Sequence, residues 1–360
     1  MKIKFKEFSK KKLVIFSILG ILLIAGGFLL FTRILPVINF LNTSDNEPTQ
    51  SENNEITIAN PDTGETKTYE YNKDEALVLA NTEQIIKTPS NKQQLVSPGS
   101  RNILIIGEDA TAGGLFDTIC IANIDEKSNV LKFIMIPRDL YVPYNDQMMN
   151  AIKKTGFSSS PGIYKINCAH KIGLMIGYKG NFNSPSINFV TEIIREMFDV
   201  KIDDYVRVNF DGFIEIVDKI GPVNVDIPYD IYQGNNVYIP KGVQSLDGKK
   251  ALTFSRTRYV RDPATGKDIN HGDIARKENQ LMLLKNMATQ YLTLGNINKI
   301  PDVMPTLSSN VKHSIKLGDV LVGYLGILRN MQSNKYKVET NVTNFARSGR
   351  ISGSSYLFLE

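Results

Sequence analysis

Residues 102–136 read NILIIGEDATAGGLFDTICIANIDEKSNVLKFIMI. Three dense apolar runs, Asn102–Ile106, Thr118–Ile124 and Val130–Ile136, have the length and β-branched content of strands. The turn-rich segment Asp125–Asn129 suits a hairpin between the second and third. Strands this apolar on both faces belong inside a sheet covered by helices. Working outward, Ile187, Val190, Ile194 and Met197 recur at helical spacing, as do Phe213, Ile216, Val217 and Ile220. The second of these helices is expected to open at Asp211 and to stop at Gly221-Pro222. Strands are expected at Tyr205–Phe210 and Val223–Ile227, a long helix at Asp273–Leu292 and a further one near Leu317–Arg329. Helices alternating with buried strands define an α/β domain over residues 100–360, a three-layer α/β/α sandwich with a central mixed sheet.

The part before residue 100 is different. Residues 1–12 carry six lysines against Glu7, and this tail accounts for the whole net charge of +5. A nucleic-acid-binding domain would carry its own basic face, so no nucleic-acid partner is expected. Leu13 to Phe31 is an uncharged run of 19 residues, long enough to cross ~30 Å of hydrocarbon as a helix. Lysines precede it and Arg33 alone follows closely, so the reading is a single-pass anchor with a cytoplasmic amino terminus and an extracytoplasmic domain. Continuation of the apolar run through Phe28–Phe31 argues against cleavage at Ala25-Gly26-Gly27. Residues 32–99 read as linker, with a small hairpin over 55–71 and a short helix over Asp74–Ile86.

Cys120 and Cys168 lie in apolar surroundings and read as buried thiols, not as a disulfide. Neither a CxxC nor an HExxH pattern is present, which leaves zinc chemistry without ligands. Charge gathers instead at strand and helix ends, where α/β folds place function. Asp109 ends the first strand and Asp117 opens the second; two carboxylates on neighbouring loops suit Mg²⁺, and two solvated loop acids are the plain alternative. Arg138 follows Pro137 at the end of the third strand. Arg256 and Arg258 point to one side if extended and diverge by roughly 200° if helical; a short helix is expected after Asp247-Gly248, with an extended stretch from Ser255. Arg261 extends the patch. Guanidinium forks match phosphate oxygens, so such a group makes a pyrophosphate clamp. Asp273, Arg276 and Gln280 fall on one face at the start of the long helix. Arg276 is misplaced there unless an anion docks at the free amides. His170, His271 and His313 have no acid or thiol partner in the sequence.

The stretches NILIIGED (102–109), FDT (116–118), IPRDLYV (136–142), KINCAH (165–170), DDYVRVNFDGFIEIVDKIGPVNVDIP (203–228), GVQSLDGKKALTFSRTR (242–258) and GDIARKENQ (272–280) resemble, in order, those of the LytR–CpsA–Psr family of cell-wall glycopolymer ligases. The resemblance implies an apolar pocket for a lipid tail beneath a charged mouth. Asp109 and Asp117 would coordinate Mg²⁺, and Arg138, Arg256, Arg258 and Arg276 would carry the chemistry on pyrophosphate. Gln280, Asp273 and Arg261 would contact the substrate. The implied reaction is a phosphotransfer from a polyprenyl-pyrophosphate-linked glycopolymer to a hydroxyl of peptidoglycan, outside the membrane of a Gram-positive-like bacterium. The alternatives are a lipid-pyrophosphate pyrophosphohydrolase and a non-catalytic protein that binds the carrier or a wall polymer. One departure stands out: Leu115 and Phe116 replace the Arg-Ser that usually precedes Asp-Thr, which removes one arginine from the clamp. Arg261 or Lys267 is a candidate substitute. Asn279 also stands where an arginine is usual.

Overall fold

The computed structural model describes residues 35–42, 55–59, 66–70, 84–87, 89, 92–109, 114–160, 162–261, 265–266, 268–270, 272–292, 296, 310–316, 319, 323–333, 336–344 and 347–359. The elements are, in chain order, α1 (Leu35–Asn42), β1 (Glu55–Ala59), β2 (Thr66–Glu70), β3 (Arg101–Asp109), β4 (Leu115–Asp125) and β5 (Val130–Ile136). They continue with α2 (Asp146–Lys154), α3 (Ile166–Ile176), α4 (Pro185–Phe198), β6 (Asp204–Asn209), α5 (Phe210–Ile220), β7 (Val223–Ile227), β8 (Ile231–Gln233), β9 (Asn236–Ile239) and β10 (Gly242–Leu246). The rest are α6 (Gly248–Arg256), β11 (Tyr259–Arg261), β12 (Asp268–Asn270), α7 (Gly272–Tyr291), β13 (Val311–His313), α8 (Leu325–Ser333), β14 (Lys337–Val342), β15 (Arg347–Ile351) and β16 (Ser354–Phe358).

The central sheet has six strands in the order β13-β6-β3-β4-β5-β14. β3, β4 and β5 run antiparallel to their neighbours in sequence, while β6 joins β3 and β14 joins β5 in parallel. The sheet is therefore mixed. Strand alternation sorts the apolar side chains into two layers. Leu104, Ile106, Ile119, Ile121, Ile134 and Ile136 pack with α2, α3 and α4. Cys120, Ala122, Phe133 and Met135 face the other way, against Leu281 and Ala288 of α7 and Ile327 of α8. Both cysteines are buried and neither is in a disulfide, and burial pushes the Cys120 thiol up to about 12.

Several expectations shift in detail. Asn209, not Asp211, caps α5, its side chain accepting from the Gly212 amide at 2.8 Å. β7 leaves the central sheet and pairs with β10. α6 continues through Arg256, so the extended stretch starts at Thr257. The last described α-helix, Leu325–Ser333, overlaps the expected one, and Asp319 is also helical. β1 and β2 form the expected hairpin, but Ile86 is not helical: it bridges to Tyr144. Residues 74–83 and the apolar run 13–31 lie outside the described residues. Among those described, no helix is long and apolar enough to cross a membrane.

One close crossing sets the site. α5 and α6 touch at Gly248, where an added Cβ would collide with the Ile214 backbone. Gly248→Ala is expected to destabilise the domain by about 1–3 kcal/mol, read as a lower urea midpoint. An unchanged midpoint would mean the two helices separate freely.

Candidate functional site

The site lies where β3 and β5 end and β4 begins, beside the start of α7. Gly107 pairs with Thr118 and Glu108 with Phe116, so Asp117 is an extra residue in β4. Such a bulge re-aims a side chain at a strand end. Asp117 meets Arg138, which projects just past Pro137 at the end of β5, with Oδ1 accepting from Nη1 at 2.5 Å. On α7, Asp273, Arg276, Lys277 and Gln280 share one face. Asp273 pairs with Arg276 and, at 3.3 Å, with Lys277. Arg138 lies 3.7 Å from Asp273, and Arg276 3.9 Å from Asp117. Arg256, the last residue of α6, reaches Asp109 at 3.5 Å and lies over the Phe210 ring at 4.3 Å.

Two cavities meet at this cluster. One, of about 200 Å³, is walled by apolar side chains that include Ile105, Phe213, Ile216, Leu252, Leu284 and Met287. The other is a groove of about 620 Å³ that holds Arg258, Arg261, Tyr232 and Tyr259. Asp117, Arg256 and Arg276 line both. Arg256 and Arg258 thus face the same groove although α6 ends between them. Arg261 stacks over Tyr232 at 4.4 Å and donates to the Gly234 carbonyl at 3.2 Å. Gln280 reaches the apolar cavity, and its buried Oε1 has no hydrogen-bond partner.

The electrostatics lean positive. Arg138, Lys165, Arg256, Arg258, Arg276 and Lys277 surround Asp109, Asp117, Asp139 and Asp273, which is six cations against four carboxylates. Burial lowers the Arg276 guanidinium, and repulsion from Arg138 adds to this beyond what Asp273 and Asp117 restore, leaving it at about 10. It stays charged at neutral pH with part of its charge uncompensated. Burial also works against Arg138, but Asp117, Asp139 and Asp273 outweigh it and hold that guanidinium above its ordinary value. Burial would raise Asp273, yet Arg276, Arg138 and Lys277 keep it low. This arrangement is electrostatically suited to an anion.

Among the described residues there is no group of three or more His, Cys, Asp or Glu side chains that could hold a metal ion. The donors at hand are oxygens from two neighbouring strands, Asp109 and Asp117. That set fits a hard cation completing its shell with phosphate and water, as Mg²⁺ does, and not zinc.

Three charged residues of the cluster, Asp139, Lys165 and Lys277, are not among the site residues named from the sequence. Lys277 is four residues after Asp273, a spacing that is open to inspection. Lys165 is 3.1 Å from Asp139 and can be located only through the fold. Asn279 is structural, bonding Tyr229 and the Phe254 carbonyl and so fastening α7 to α6.

Fold and site together define an α/β domain that presents a cationic cluster above an apolar cavity. The sequence profile of the LytR_cpsA_psr family matches residues 64–360, and the chain belongs to this family. It is 29% identical over 230 residues to the polyisoprenyl-teichoic acid–peptidoglycan teichoic acid transferase TagV of Bacillus subtilis (strain 168), covering 61% of this chain and 51% of that protein. It is 28% identical over 235 residues to the enzyme named TagU of Oceanobacillus iheyensis, covering 64% of each. The chain thus spans about half to two thirds of these relatives' length. The crystal structure of B. subtilis TagV shares the fold, with a TM-score of 0.52 and 24% identity over 74% of this chain and 92% of that one.

His170 is buried behind the site, stacked on Phe116 at 4.0 Å. Burial, helped by Lys171 and Arg207, holds its imidazole well below its ordinary value. The unfolded chain takes up this proton below about pH 6.5 while the folded chain refuses it. Stability is therefore full above that pH and falls as the pH drops below it. Urea unfolding across this range should show the decline, and His170→Phe should flatten it. An unaltered slope would remove His170 as its source.

Proposed function

We propose that this chain is a membrane-anchored, extracytoplasmic transferase that moves a glycopolymer from a polyprenyl-pyrophosphate carrier to a hydroxyl of peptidoglycan. The observation that carries the reading is that Asp117, Arg256 and Arg276 line both the apolar cavity and the cationic groove. Such a junction suits a molecule whose apolar tail is joined directly to an anionic head. The family membership and the names of the TagV and TagU relatives support the same class of donor and acceptor. The anchor rests on the apolar run 13–31.

In this reading the head-proximal prenyl units enter between Phe213, Leu252 and Met287. The cavity is smaller than the ~300–1,000 Å³ of an ordinary ligand pocket, so most of a long carrier stays outside. Arg138 and Arg276 grip the pyrophosphate from the sheet end and from α7, and Arg256 and Arg258 close on it from the groove. Gln280 offers its side-chain amide to a phosphate oxygen. Arg261 and Asp273 act at the edges, the first toward the sugar chain and the second by orienting Arg276. Asp109 and Asp117 would hold Mg²⁺, which supplies charge neutralisation to the phosphates when bound. The acceptor hydroxyl attacks the sugar-linked phosphorus; a new O–P bond forms, the P–O bond to the lipid phosphate breaks, and the hydroxyl proton is released. Polyprenyl phosphate leaves as a dianion, one new negative charge developing on the former bridging oxygen beside the one it already carries. Preorganised guanidinium groups stabilise that charge as it develops, the usual source of rate in phosphoryl transfer.

The test uses the full chain in detergent with Mg²⁺, a prenyl-pyrophosphate-linked saccharide and peptidoglycan fragments. Coupled product is expected, with Arg276→Ala and Asp117→Ala each lowering kcat by about 10²–10³. Release of both halves by water alone would make the protein a pyrophosphohydrolase. Donor binding without turnover, unaffected by Asp117→Ala, would make it a carrier-binding protein. Chelation of divalent metal should stop coupling and be reversed by Mg²⁺; full activity without metal would remove the proposed role of Asp109. Met287→Trp, which fills the apolar cavity, should raise KM for the lipid-linked donor while leaving inorganic pyrophosphate binding unchanged. An unaltered KM would separate the cavity from the substrate.

A further inference from the structure

Lys165 is in an unfavourable place. It stands at the N-cap position of α3, where its side chain makes no capping hydrogen bond, and it is wholly buried. A cap position favours an acceptor, and the helix N-terminus repels a cation. A buried ammonium is costly without a partner. The carboxylate that meets it is Asp139, with Oδ1 at 3.1 Å from Nζ.

Asp139 has a second cation close by. Its other oxygen, Oδ2, lies 3.9 Å from Nε of Arg138, and that Nε has no hydrogen-bond partner. Arg138 spends Nη1 on Asp117. Asp273 Oδ1 already lies 3.7 Å from the same Nε. If Asp139 closed on Arg138 as well, three carboxylates would crowd one guanidinium, its charge would be over-balanced and its Nε edge occupied.

We propose that Lys165 is a positioning residue that draws the Asp139 carboxylate away from Arg138 and so keeps the Arg138 guanidinium available to the anionic head of the substrate. This rests on the pyrophosphate reading given above. A purely mechanical role for Lys165 is redundant. The Arg138–Tyr141 loop is already fastened by main-chain bonds: Ile166 N to Leu140 O at 2.9 Å, Asn167 N to Arg138 O at 3.2 Å, Leu357 N to Asp139 O at 3.0 Å and Tyr141 N to Leu357 O at 2.8 Å. What these bonds do not settle is which cation the Asp139 side chain serves.

The proposal predicts rescue of one substitution by another. Geranyl pyrophosphate is titrated calorimetrically into the full chain in detergent. Lys165→Met should weaken binding by about tenfold or more, because Asp139 then closes on Arg138. Adding Asp139→Asn should restore affinity to within about threefold of wild type, since the coupled pair is removed together. A structural role would make the double variant no better than the single. Asp139→Asn alone, which leaves Lys165 without that carboxylate and is scored only on protein whose circular dichroism matches wild type, should bind as well as wild type or better. That variant decides the matter if Lys165→Met does not fold, because weakened binding would overturn the proposal. A crystal structure of Lys165→Met should show Asp139 moved onto Arg138; Asp139 in its present place would overturn the proposal. If wild type fails to bind the probe, the pyrophosphate reading falls, and the crystal structure alone decides the role of Lys165.

Discussion

Asp117 meets Arg138 at 2.5 Å because β4 carries one residue more than β3 at their shared end. Without the bulge, alternation would send the Asp117 side chain to the other face, among the isoleucines that pack on α3 and α4. With it, a carboxylate turns to the side where α7 arrives. The bulge thus decides the face on which the charged cluster forms. Arg138 is placed by a second constraint, the halt that Pro137 imposes on β5. Arg276 is placed by a third, the docking of α7 on the sheet through Leu281 and Ala288. The first two are backbone features and the third is side-chain packing, and the ion pairs follow from them.

Such a cluster is costly to build. Desolvating each ion costs several kcal/mol, and an ion pair returns that only when its geometry is good. Here four carboxylates share six cations, and Arg276 sits at about 10, well below a solvated guanidinium. A domain selected for stability alone would hold apolar side chains at these positions. The cost is borne by the packing on either side, where Leu104, Ile106, Ile121, Ile134 and their partners are fully buried. In the proposed reading a phosphate entering the cluster would bring the charge it lacks, and the unbalanced charge would supply part of the binding energy.

The core strands are legible in the sequence because their apolar runs are long and bounded by turns: β5 matches to the residue, and so does β7. Yet the alternation of Val223, Val225 and Ile227 cannot say which strand β7 pairs with. It pairs with β10, a choice made by the short hairpins that follow. The cap of α5 differs by two residues from the expected one because Asn209 and Asp211 are both good caps, and only dihedral angles separate them. At the site, residue type and strand ends are enough to nominate Asp117, Arg138, Asp273 and Arg276, which the fold brings into mutual contact. Lys165 is invisible to that logic. A lysine before an apolar helix reads as solvated, and its burial depends on the C-terminal hairpin, whose Tyr356 ring lies 5.7 Å away.

Leu115 illustrates how far a motif can be read without coordinates. Taken as a line of text, its replacement of arginine subtracts one donor from the clamp. In the fold, Leu115 is buried in the layer packed by α3 and α4, together with Phe116 against His170. The arginine on that face, Arg207, is held by Glu108 in two contacts of 2.7 and 2.8 Å and lies over the Phe116 ring. Its charge is matched, and it adds nothing to the groove. Arg261, in the groove beside Arg258 and stacked on Tyr232, is the described candidate to replace the absent arginine; Lys267 lies outside the described residues. The cluster does not need a replacement to remain cationic, because Lys277 and Lys165 already carry the excess. The residue at 115 belongs to the layer behind the site: its apolar side chain is buried in the core beside the bulge that carries Asp117.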